Sequence, residues 1–493
     1  RHHAGLRHSM RPLECPRVPL GALSAAEFRD RFMRPNCPVL LTHATVGWRA
    51  QTEWVSSSGM PDLPALASRF GESLVPVVDC ARGGSRSEMK LHEYANWWAA
   101  RDEGSCLYLK DWTFAAEYPA YCAYRTPDIL DDDWLNNYWS WLQHGQRRRN
   151  GDVDAAEGLS SLAHHGGDHR FVYIGPAGSC TPLHADVFFS FSWSVNLCGK
   201  KKWRLIHPDF RHIVSDTATE PHQDGFARLA AAGHSALEII QEPGEILFVP
   251  AGWYHDVTNL SDAISINHNW FNAAGAAWVV ERLVAYLKHI RSGLDSDDAA
   301  DAELCMGLLR RRAGMDLFEL ARILAAVVAR RRQPNEGGLE VHEENDGSVC
   351  EKSCKKSSSA LACDVAGTTH PRVPKWHQRP CSPSTTLDNA GRVCPATKRP
   401  RTELCSPPAG VPSQPKVLGD CKDVEVRKMS LRSTSSSTIV FAVGSSHESA
   451  DANVDCDVEW EAETIRIAVA LHAQLADLIS REFPDEPSVT PIG

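Results

Sequence analysis

Hydrophobic and polar residues alternate strictly over residues 189–197 of the chain. Serine or asparagine occupies every second position, and the remaining positions are apolar. The apolar positions are Phe189, Phe191, Trp193, Val195 and Leu197. A period of two predicts a β-strand with one apolar and one polar face. Similar short strands, separated by Gly- and Pro-containing turns, are predicted across residues 15–275. The pattern favours a mostly β fold with added helices, either a double-sheet jelly roll or a barrel.

Helical spacing takes over after this β region. The stretches WVVERLVAYLKHI and LFELARILAAVVARRR, both within residues 276–332, repeat apolar residues every three or four positions. The same period returns in residues 457–485, from Ile465 to Ile479. Since each apolar stripe needs a partner, we expect the helix at 457–485 to dock on the helices at 276–332.

The segment between these helical regions, residues 333–456, has a different composition. Trp376 is the single aromatic residue between positions 333 and 440, among Ser, Pro, Thr, Gly and Lys. Such a segment buries too little apolar surface to offset the entropy lost on ordering. We therefore predict a disordered insertion, together with a disordered N-terminus at 1–14 and a short tail at 486–493.

Charge and cysteine content limit the possible partners. The net charge of -10 and the pI near 6.1 give no reason to expect direct nucleic-acid binding, and no apolar run is long enough to cross a bilayer. We expect no secretory signal in RHHAGLRHSM and therefore reduced cysteines, none of them in a CxxC pair. The expected location is the cytoplasm, with the nucleus as the alternative that the basic run Lys398–Arg401 leaves open. The oligomeric state stays open.

His184 and Asp186 stand one residue apart in TPLHADVFF, within the predicted β core. Buried charges are costly unless they are paired or bound to a metal. A further histidine, His255, follows the Pro-Ala-Gly turn of GEILFVPAGWYHDV, whereas His268 falls on the apolar side of AISINHNW and is predicted to pack in the core. Two histidines and one carboxylate form the facial triad of non-haem iron(II) oxygenases. The sequence therefore predicts His184, Asp186 and His255 as metal ligands and catalytic residues.

One of three consecutive lysines is predicted to face the interior. Alternation in GKKKWRLIHP places Lys201 on the side of Trp203 and Leu205, and places Lys200 and Lys202 on the other side, in solvent. A lysine among core residues needs an anion. The distal carboxylate of a dicarboxylate cosubstrate bound to the iron is a suitable one.

The string YIGPAGSCTPLHADVFFSFSWSVNLCGKKKW, together with VPAGWYHDVTNLSDAISINHNW, resembles the JmjC domain of 2-oxoglutarate oxygenases. CLYLKDW and DDDWLNNYW extend the resemblance to the jumonji-domain-containing protein 4 family, over most of residues 15–332 and 457–485. The resemblance implies a double-stranded β-helix (a cupin-like jelly roll) with a C-terminal helical region. It also implies Fe(II), O2, and 2-oxoglutarate held by Lys201. The further implied cosubstrate contacts are Thr181, Ser194, Asn267 and Tyr173.

The resemblance also implies an activity and a partner. Members of that family hydroxylate a lysine side chain of a protein, the eukaryotic translation termination factor. An N-methyl-lysine demethylase would share all the cosubstrate residues, and a catalytically inactive cupin scaffold would lack turnover despite the fold. The pattern of ligands and the inward lysine favour an enzyme over the scaffold.

Overall fold

The computed structural model describes most of the β region and the helical regions of the chain. The described residues are 14–102, 104–150, 167–215, 221–332 and 452–484, with 489 and 492. The predictions of disorder for 1–14 and 333–456 lie almost entirely outside the described residues. The end of the second segment differs from the prediction, because the final helix already begins at Ala452.

Thirteen strands lie within the described ranges. In chain order they are β1 (Arg17–Pro19), β2 (Val39–Thr42), β3 (Leu74–Asp79), β4 (Ser85–Lys90), β5 (Leu107–Trp112), β6 (Arg170–Gly175), β7 (Cys180–His184), β8 (Phe191–Cys198), β9 (Lys201–Ile206), β10 (Leu237–Gln241), β11 (Ile246–Val249), β12 (Tyr254–Asn259) and β13 (Ala263–Trp270). They form a nine-stranded sheet, in the order β1-β2-β11-β8-β13-β6-β5-β3-β4, and a four-stranded sheet, in the order β10-β9-β12-β7.

The two sheets face each other as the jelly-roll core of a double-stranded β-helix. Leu247 and Val249 of the long sheet pack against Trp203, Leu205 and Val257 of the short sheet. The other face of the long sheet carries a larger apolar cluster with the N-terminal helices. The central strands β8, β11 and β13 of the long sheet therefore have two covered faces, and all eight residues of β8 are buried. This explains why the serines and asparagines of β8 do not meet solvent.

The helices within the described ranges precede, interrupt and follow the strands. They are α1 (Ala25–Phe28), α2 (Arg49–Glu53), α3 (Leu63–Phe70), α4 (Leu91–Ala100), α5 (Phe114–Glu117), α6 (Trp134–Asn150), α7 (Arg211–Val214), α8 (Gly225–Ala231), α9 (Ala276–Ser292), α10 (Ser296–Ala300), α11 (Ala302–Ala313), α12 (Leu317–Arg332) and α13 (Ala452–Glu482). Ser24 caps α1 in a reciprocal capping box with Glu27. No helix in these ranges combines the length and the apolar composition needed to span a bilayer.

The final helix, α13, packs into the C-terminal helical cluster. Its buried residues Leu471 and Leu475 share one apolar cluster with Leu320 and Leu324 of α12. A helix alone in water is marginal, so this shared burial is what stabilises α13. The cluster also contains Phe188, which belongs to the β core two residues after Asp186. The C-terminal helices therefore contact the turn that carries a candidate metal ligand.

The alternating stretch at 189–197 differs from its prediction at one end. The strand begins at Phe191, whereas Phe189 ends a 3₁₀ turn at Val187–Phe189. Likewise β7 ends at His184, so Asp186 is not part of an extended strand with it. Strands β4 and β10 carry no clear alternation of apolar and polar residues.

Candidate metal centre and anion pocket

Three candidate ligands converge between β7, the turn after it, and β12. One ligand atom from each of His184, Asp186 and His255 lies within 4.8 Å of the other two. The two histidines occupy directly paired positions of the antiparallel strands β7 and β12, with their ring centroids 4.4 Å apart. The His255 Nε2 lies 4.0 Å from the Asp186 Oδ2. In the described ranges this is the single group of such residues arranged to hold a metal ion.

Backbone carbonyls orient both imidazole rings. The His184 Nδ1 lies 2.8 Å from the Pro182 carbonyl oxygen, and the His255 Nδ1 lies 3.1 Å from the Trp253 carbonyl oxygen. Donation from Nδ1–H leaves Nε2 unprotonated and available to a metal. Burial, followed by the neighbouring His255, lowers the pKa of His184 to about 4. A neutral imidazole is the form that binds metal ions.

Asp186 is positioned by a turn with unusual backbone geometry. Phe188 and Phe189 both have positive φ, 58° and 55°. A non-glycine residue in this region costs about 1–3 kcal/mol and persists only where the surroundings enforce it. Phe188 is buried among the C-terminal helices, and the guanidinium of Arg282 on α9 lies 4.1 Å from the Phe189 ring centroid. The Ser192 hydroxyl donates to the Asp186 Oδ2 at 2.7 Å. Packing from both sides therefore fixes this carboxylate.

Lys201 lies between the two sheets, as its alternation predicts. Its side chain is buried, and its Nζ donates to the Ser265 hydroxyl on β13 at 2.6 Å. Lys200 and Lys202 face the other way and form ion pairs with Glu242 and Glu238. Lys201 thus differs from Lys200 and Lys202: its side chain is buried and contacts a hydroxyl group, whereas theirs face solvent and pair with glutamates.

Two further charged residues, Lys110 and Asp111, lie at a bulge in β5. Leu109 pairs with Ile174 and Trp112 pairs with Val172, so Lys110 and Asp111 together oppose the single residue Tyr173. Asp111 has a positive φ of 64°. The Lys110 Nζ donates to the Thr181 hydroxyl at 3.0 Å, and the Tyr173 hydroxyl donates to the Asp111 Oδ1 at 3.0 Å. Alternation after Leu109 turns Lys110 away from the outer apolar cluster, and the bulge returns Trp112 to that cluster.

The other predicted cosubstrate contacts surround the same space. Ser194 and Asn267 are buried and directly paired across β8 and β13. Thr181 accepts the hydrogen bond from Lys110, and Lys201 Nζ lies 5.8 Å from the centroid of the Tyr173 ring. Ser194 shares its strand face with Ser192, which contacts Asp186, and Asn267 shares its strand face with Ser265, which contacts Lys201. Both therefore lie on the inner face of the long sheet, whereas Tyr173 uses its hydroxyl on Asp111.

His268 lies on the opposite face of the long sheet. Its ring centroid is 4.0 Å from that of Trp193, and its Nε2 lies 2.6 Å from the Tyr124 hydroxyl oxygen. Burial and the nearby Arg170 hold the pKa of His268 well below its usual value. It is a packed, hydrogen-bonded core histidine.

The pocket suits iron and a dicarboxylate. Two neutral imidazoles and a carboxylate are the donor set of a non-haem iron(II) centre with open positions. The hydrogen bonds of the buried amines Lys201 and Lys110 within the described ranges are with hydroxyl groups, and the negative charge next to Lys110 is that of Asp111, which also pairs with Arg86. Fold, donor set and buried amines together define the class of Fe(II)- and 2-oxoglutarate-dependent oxygenases.

Comparisons with known proteins agree with this class. The family described as "JmjC domain, hydroxylase" matches residues 171–270. The human 2-oxoglutarate and iron-dependent oxygenase JMJD4 is 35% identical over 338 residues, which cover 63% of this chain and 75% of the relative. The Arabidopsis thaliana arginine-specific demethylase JMJ20 is 41% identical over 316 residues, covering 60% of this chain and 66% of the relative. The Caenorhabditis briggsae bifunctional arginine demethylase and lysyl-hydroxylase psr-1 is 28% identical over 273 residues, covering 52% and 61%.

The chain belongs to the JmjC-domain family of 2-oxoglutarate and iron-dependent oxygenases that includes JMJD4. It is therefore a 2-oxoglutarate-dependent dioxygenase whose cofactor is Fe(II) and whose cosubstrates are 2-oxoglutarate and O2.

Sequence reasoning missed four residues that contact this pocket. Ser192 and Ser265 occupy polar positions of strands in which apolar and polar residues alternate. That alternation was the signal that could have predicted their inward orientation. Lys110 lies at the position opposite Leu109 in the alternating stretch CLYLKDW, so the same signal was available for it. Asp111 carries no such signal, because a bulge breaks the period of two before Trp112.

Proposed function

We propose that His184, Asp186 and His255 hold the iron and that Lys201 binds the distal carboxylate of 2-oxoglutarate. The convergence of the three ligand atoms supports the first assignment. The burial of Lys201 beside Ser265 supports the second. The remaining proposed cosubstrate contacts are Thr181, Ser194, Asn267 and Tyr173.

We propose further that the enzyme hydroxylates a lysine side chain of a protein, namely the eukaryotic translation termination factor that the sequence resemblance implies. That substrate would place the enzyme in the cytoplasm. The observation that supports a cationic substrate side chain is the position of Asp111. Its carboxylate is about one-third exposed, at 31%, and is fixed by the Tyr173 hydroxyl and by Arg86. Burial, followed by Asp111, raises the pKa of Tyr173 well above its usual value, so its hydroxyl stays protonated and donates to that carboxylate.

The residues of the chain have distinct tasks in this reaction. Iron, when bound, lets O2 and 2-oxoglutarate oxidise an unactivated C–H bond, with succinate and CO2 as co-products. Asp111 accepts the substrate ammonium and so sets how deep the lysine side chain enters. Trp203, whose ring centroid lies 5.6 Å from that of His255, closes the interior behind the ligands and excludes water.

Mass spectrometry of the candidate substrate tests this function. Purified termination factor is incubated with the enzyme, Fe(II), 2-oxoglutarate and O2, with the His255→Ala variant as control. The expected result is one added oxygen on a lysine with the wild-type enzyme alone. Unmodified lysines alongside turnover of another protein would contradict the substrate assignment.

Demethylation is the second candidate function, on a methylated arginine or, as the sequence also allows, on an N-methyl-lysine. The name of the Arabidopsis relative, an arginine-specific demethylase at 41% identity, favours the first of these. A methylated cation would occupy the same pocket beside Asp111. Hydroxylation of an N-methyl group releases formaldehyde, whereas hydroxylation of the lysine chain does not. Assaying formaldehyde with methylated and unmodified peptides therefore separates the two functions.

A further inference from the structure

Lys110 is a second amine that reaches into the cosubstrate pocket. It lies on β5 of the long sheet, and its Nζ spans the interior to the Thr181 hydroxyl on β7 of the short sheet. The side chain is buried, at 9% exposure. Its neighbour Leu109 belongs to the outer apolar cluster, so the alternation of β5 turns Lys110 to the opposite, inner face. The amine enters from the sheet opposite to the one that carries Lys201.

The charge of Lys110 acts on Lys201. Burial, followed by the charge of Lys110, lowers the pKa of Lys201 to about 7. Burial also lowers the pKa of Lys110, whereas the adjacent Asp111 acts in the opposite direction. The Asp111 carboxylate itself accepts hydrogen bonds from Tyr173 and Arg86. The charge of Lys110 therefore repels the ammonium form of Lys201. The two amines are joined through neighbouring strands, because Tyr173 opposes Lys110 across β5 and β6 and pairs with Ser265, the hydrogen-bond partner of Lys201.

A single carboxylate between the two amines would remove this repulsion. A hydroxyl oxygen accepts a hydrogen bond but does not neutralise an ammonium, and an uncompensated buried charge is strongly unfavourable. A carboxylate has two oxygens, each able to accept one charge-assisted hydrogen bond. The 2-oxoglutarate used by this family carries such a carboxylate at the end distant from its oxo acid group.

We propose that Lys110 and Lys201 together bind the distal carboxylate of 2-oxoglutarate, and that Lys110 thereby selects 2-oxo diacids over 2-oxo monoacids. This inference rests on the proposed role of Lys201. It assigns a second cationic contact that the sequence pattern did not reveal. Thr181 orients the amine of Lys110 toward the carboxylate.

Binding measurements on the manganese-loaded enzyme test this assignment without turnover. Dissociation constants for 2-oxoglutarate and for 2-oxopentanoate, which has a methyl group in place of the distal carboxylate, are measured by calorimetry without oxygen. The Lys110→Met variant keeps the apolar stem and should bind 2-oxoglutarate at least about tenfold more weakly, with little change for 2-oxopentanoate. Lys202→Met, in an outward-facing lysine on β9, is the matched control and should change neither value.

The remaining variants separate the possible failures. Equal losses for both ligands in Lys110→Met, or no loss, would overturn the role of Lys110. If Lys201→Met also bound 2-oxoglutarate normally, the proposed cosubstrate site itself would be wrong. Lys110→Arg keeps the charge and should retain most of the affinity. A loss in Lys110→Arg as large as in Lys110→Met would show that packing, and not charge, explains the effect, which again overturns the proposal.

Discussion

The pocket has a regular side and an irregular side. His255 and Lys201 come from β12 and β9, which pair in unbroken register along six residue pairs. Asp186 follows a strand end in a turn with two left-handed phenylalanines, and Lys110 with Asp111 forms a bulge. The first side is placed by local strand geometry alone. The second depends on packing from distant parts of the chain, so the two sides should respond differently to distant substitutions.

The largest expected effect is the loss of the metal ligands on either side. His184→Ala, Asp186→Ala and His255→Ala should each abolish 2-oxoglutarate turnover, because each removes one of three ligands of the proposed iron site. Succinate production and bound iron measure the effect. His268→Ala, on the opposite face of the sheet, should retain iron. Loss of iron in His268→Ala with retention in His255→Ala would reverse the ligand assignment.

The dependence of the irregular side on the C-terminal helices is tested by Leu475→Ala. Leu475 is fully buried in the cluster that includes Phe188, and the cavity should lower the free energy of unfolding by about 2–5 kcal/mol. Denaturant unfolding measures the loss. Val458→Ala, at an exposed position of the same helix, is the control and should stay within about 0.5 kcal/mol of wild type. Equal stability of both variants would show that α13 does not support the core.

Ser192→Ala tests the fixing of Asp186 directly. Without the hydrogen bond from Ser192, the carboxylate gains freedom, and metal affinity should fall about 10–100-fold. Manganese titration followed by electron paramagnetic resonance measures the affinity. The control is Ser179→Ala, a buried serine whose hydroxyl donates to the Pro176 carbonyl. Unchanged affinity in Ser192→Ala would mean that the Phe188–Phe189 turn alone positions Asp186.

A smaller effect is expected for Asp111, the bulge residue that we propose contacts the protein substrate. Asp111→Asn removes the charge that we propose binds the substrate ammonium, and should raise the KM for the protein substrate about tenfold. Binding of 2-oxoglutarate should change little. Asp30→Asn, a surface aspartate that is also paired with an arginine, is the control. An unchanged KM in Asp111→Asn, or a rise of equal size in both variants, contradicts the role of Asp111.

The smallest expected effect is the uptake of a proton by Lys201, on the regular side of the pocket, when 2-oxoglutarate binds. With its pKa lowered to about 7, Lys201 is mostly neutral at pH 8 in the free enzyme. A bound carboxylate favours the ammonium and raises this pKa, so 2-oxoglutarate binding should take up close to one proton at pH 8. Affinity should therefore fall as the pH rises above about 7. Calorimetry in buffers of different ionisation enthalpy measures this uptake, and zero uptake would contradict a neutral Lys201.

The same division explains what the sequence could predict. Strand parity in β8, β9 and β13 correctly placed Lys201 inside and His268 in the core, because regular alternation ties residue number to sheet face. No such rule covers Asp186, whose position depends on left-handed turn residues held by helices about one hundred or more positions later. The alternation of CLYLKDW also places Lys110 opposite Leu109, whereas the bulge that follows removes this signal for Asp111 and Trp112.

The most direct test of the central claim is a crystal structure of the enzyme with manganese and N-oxalylglycine, a non-reactive analogue of 2-oxoglutarate, with anomalous data to locate the metal. We expect one manganese ion bound by His184, Asp186 and His255, with the distal carboxylate of the analogue at Lys201. A manganese ion that lacks any of these three ligands, or an analogue that leaves Lys201 without a carboxylate, would contradict the account.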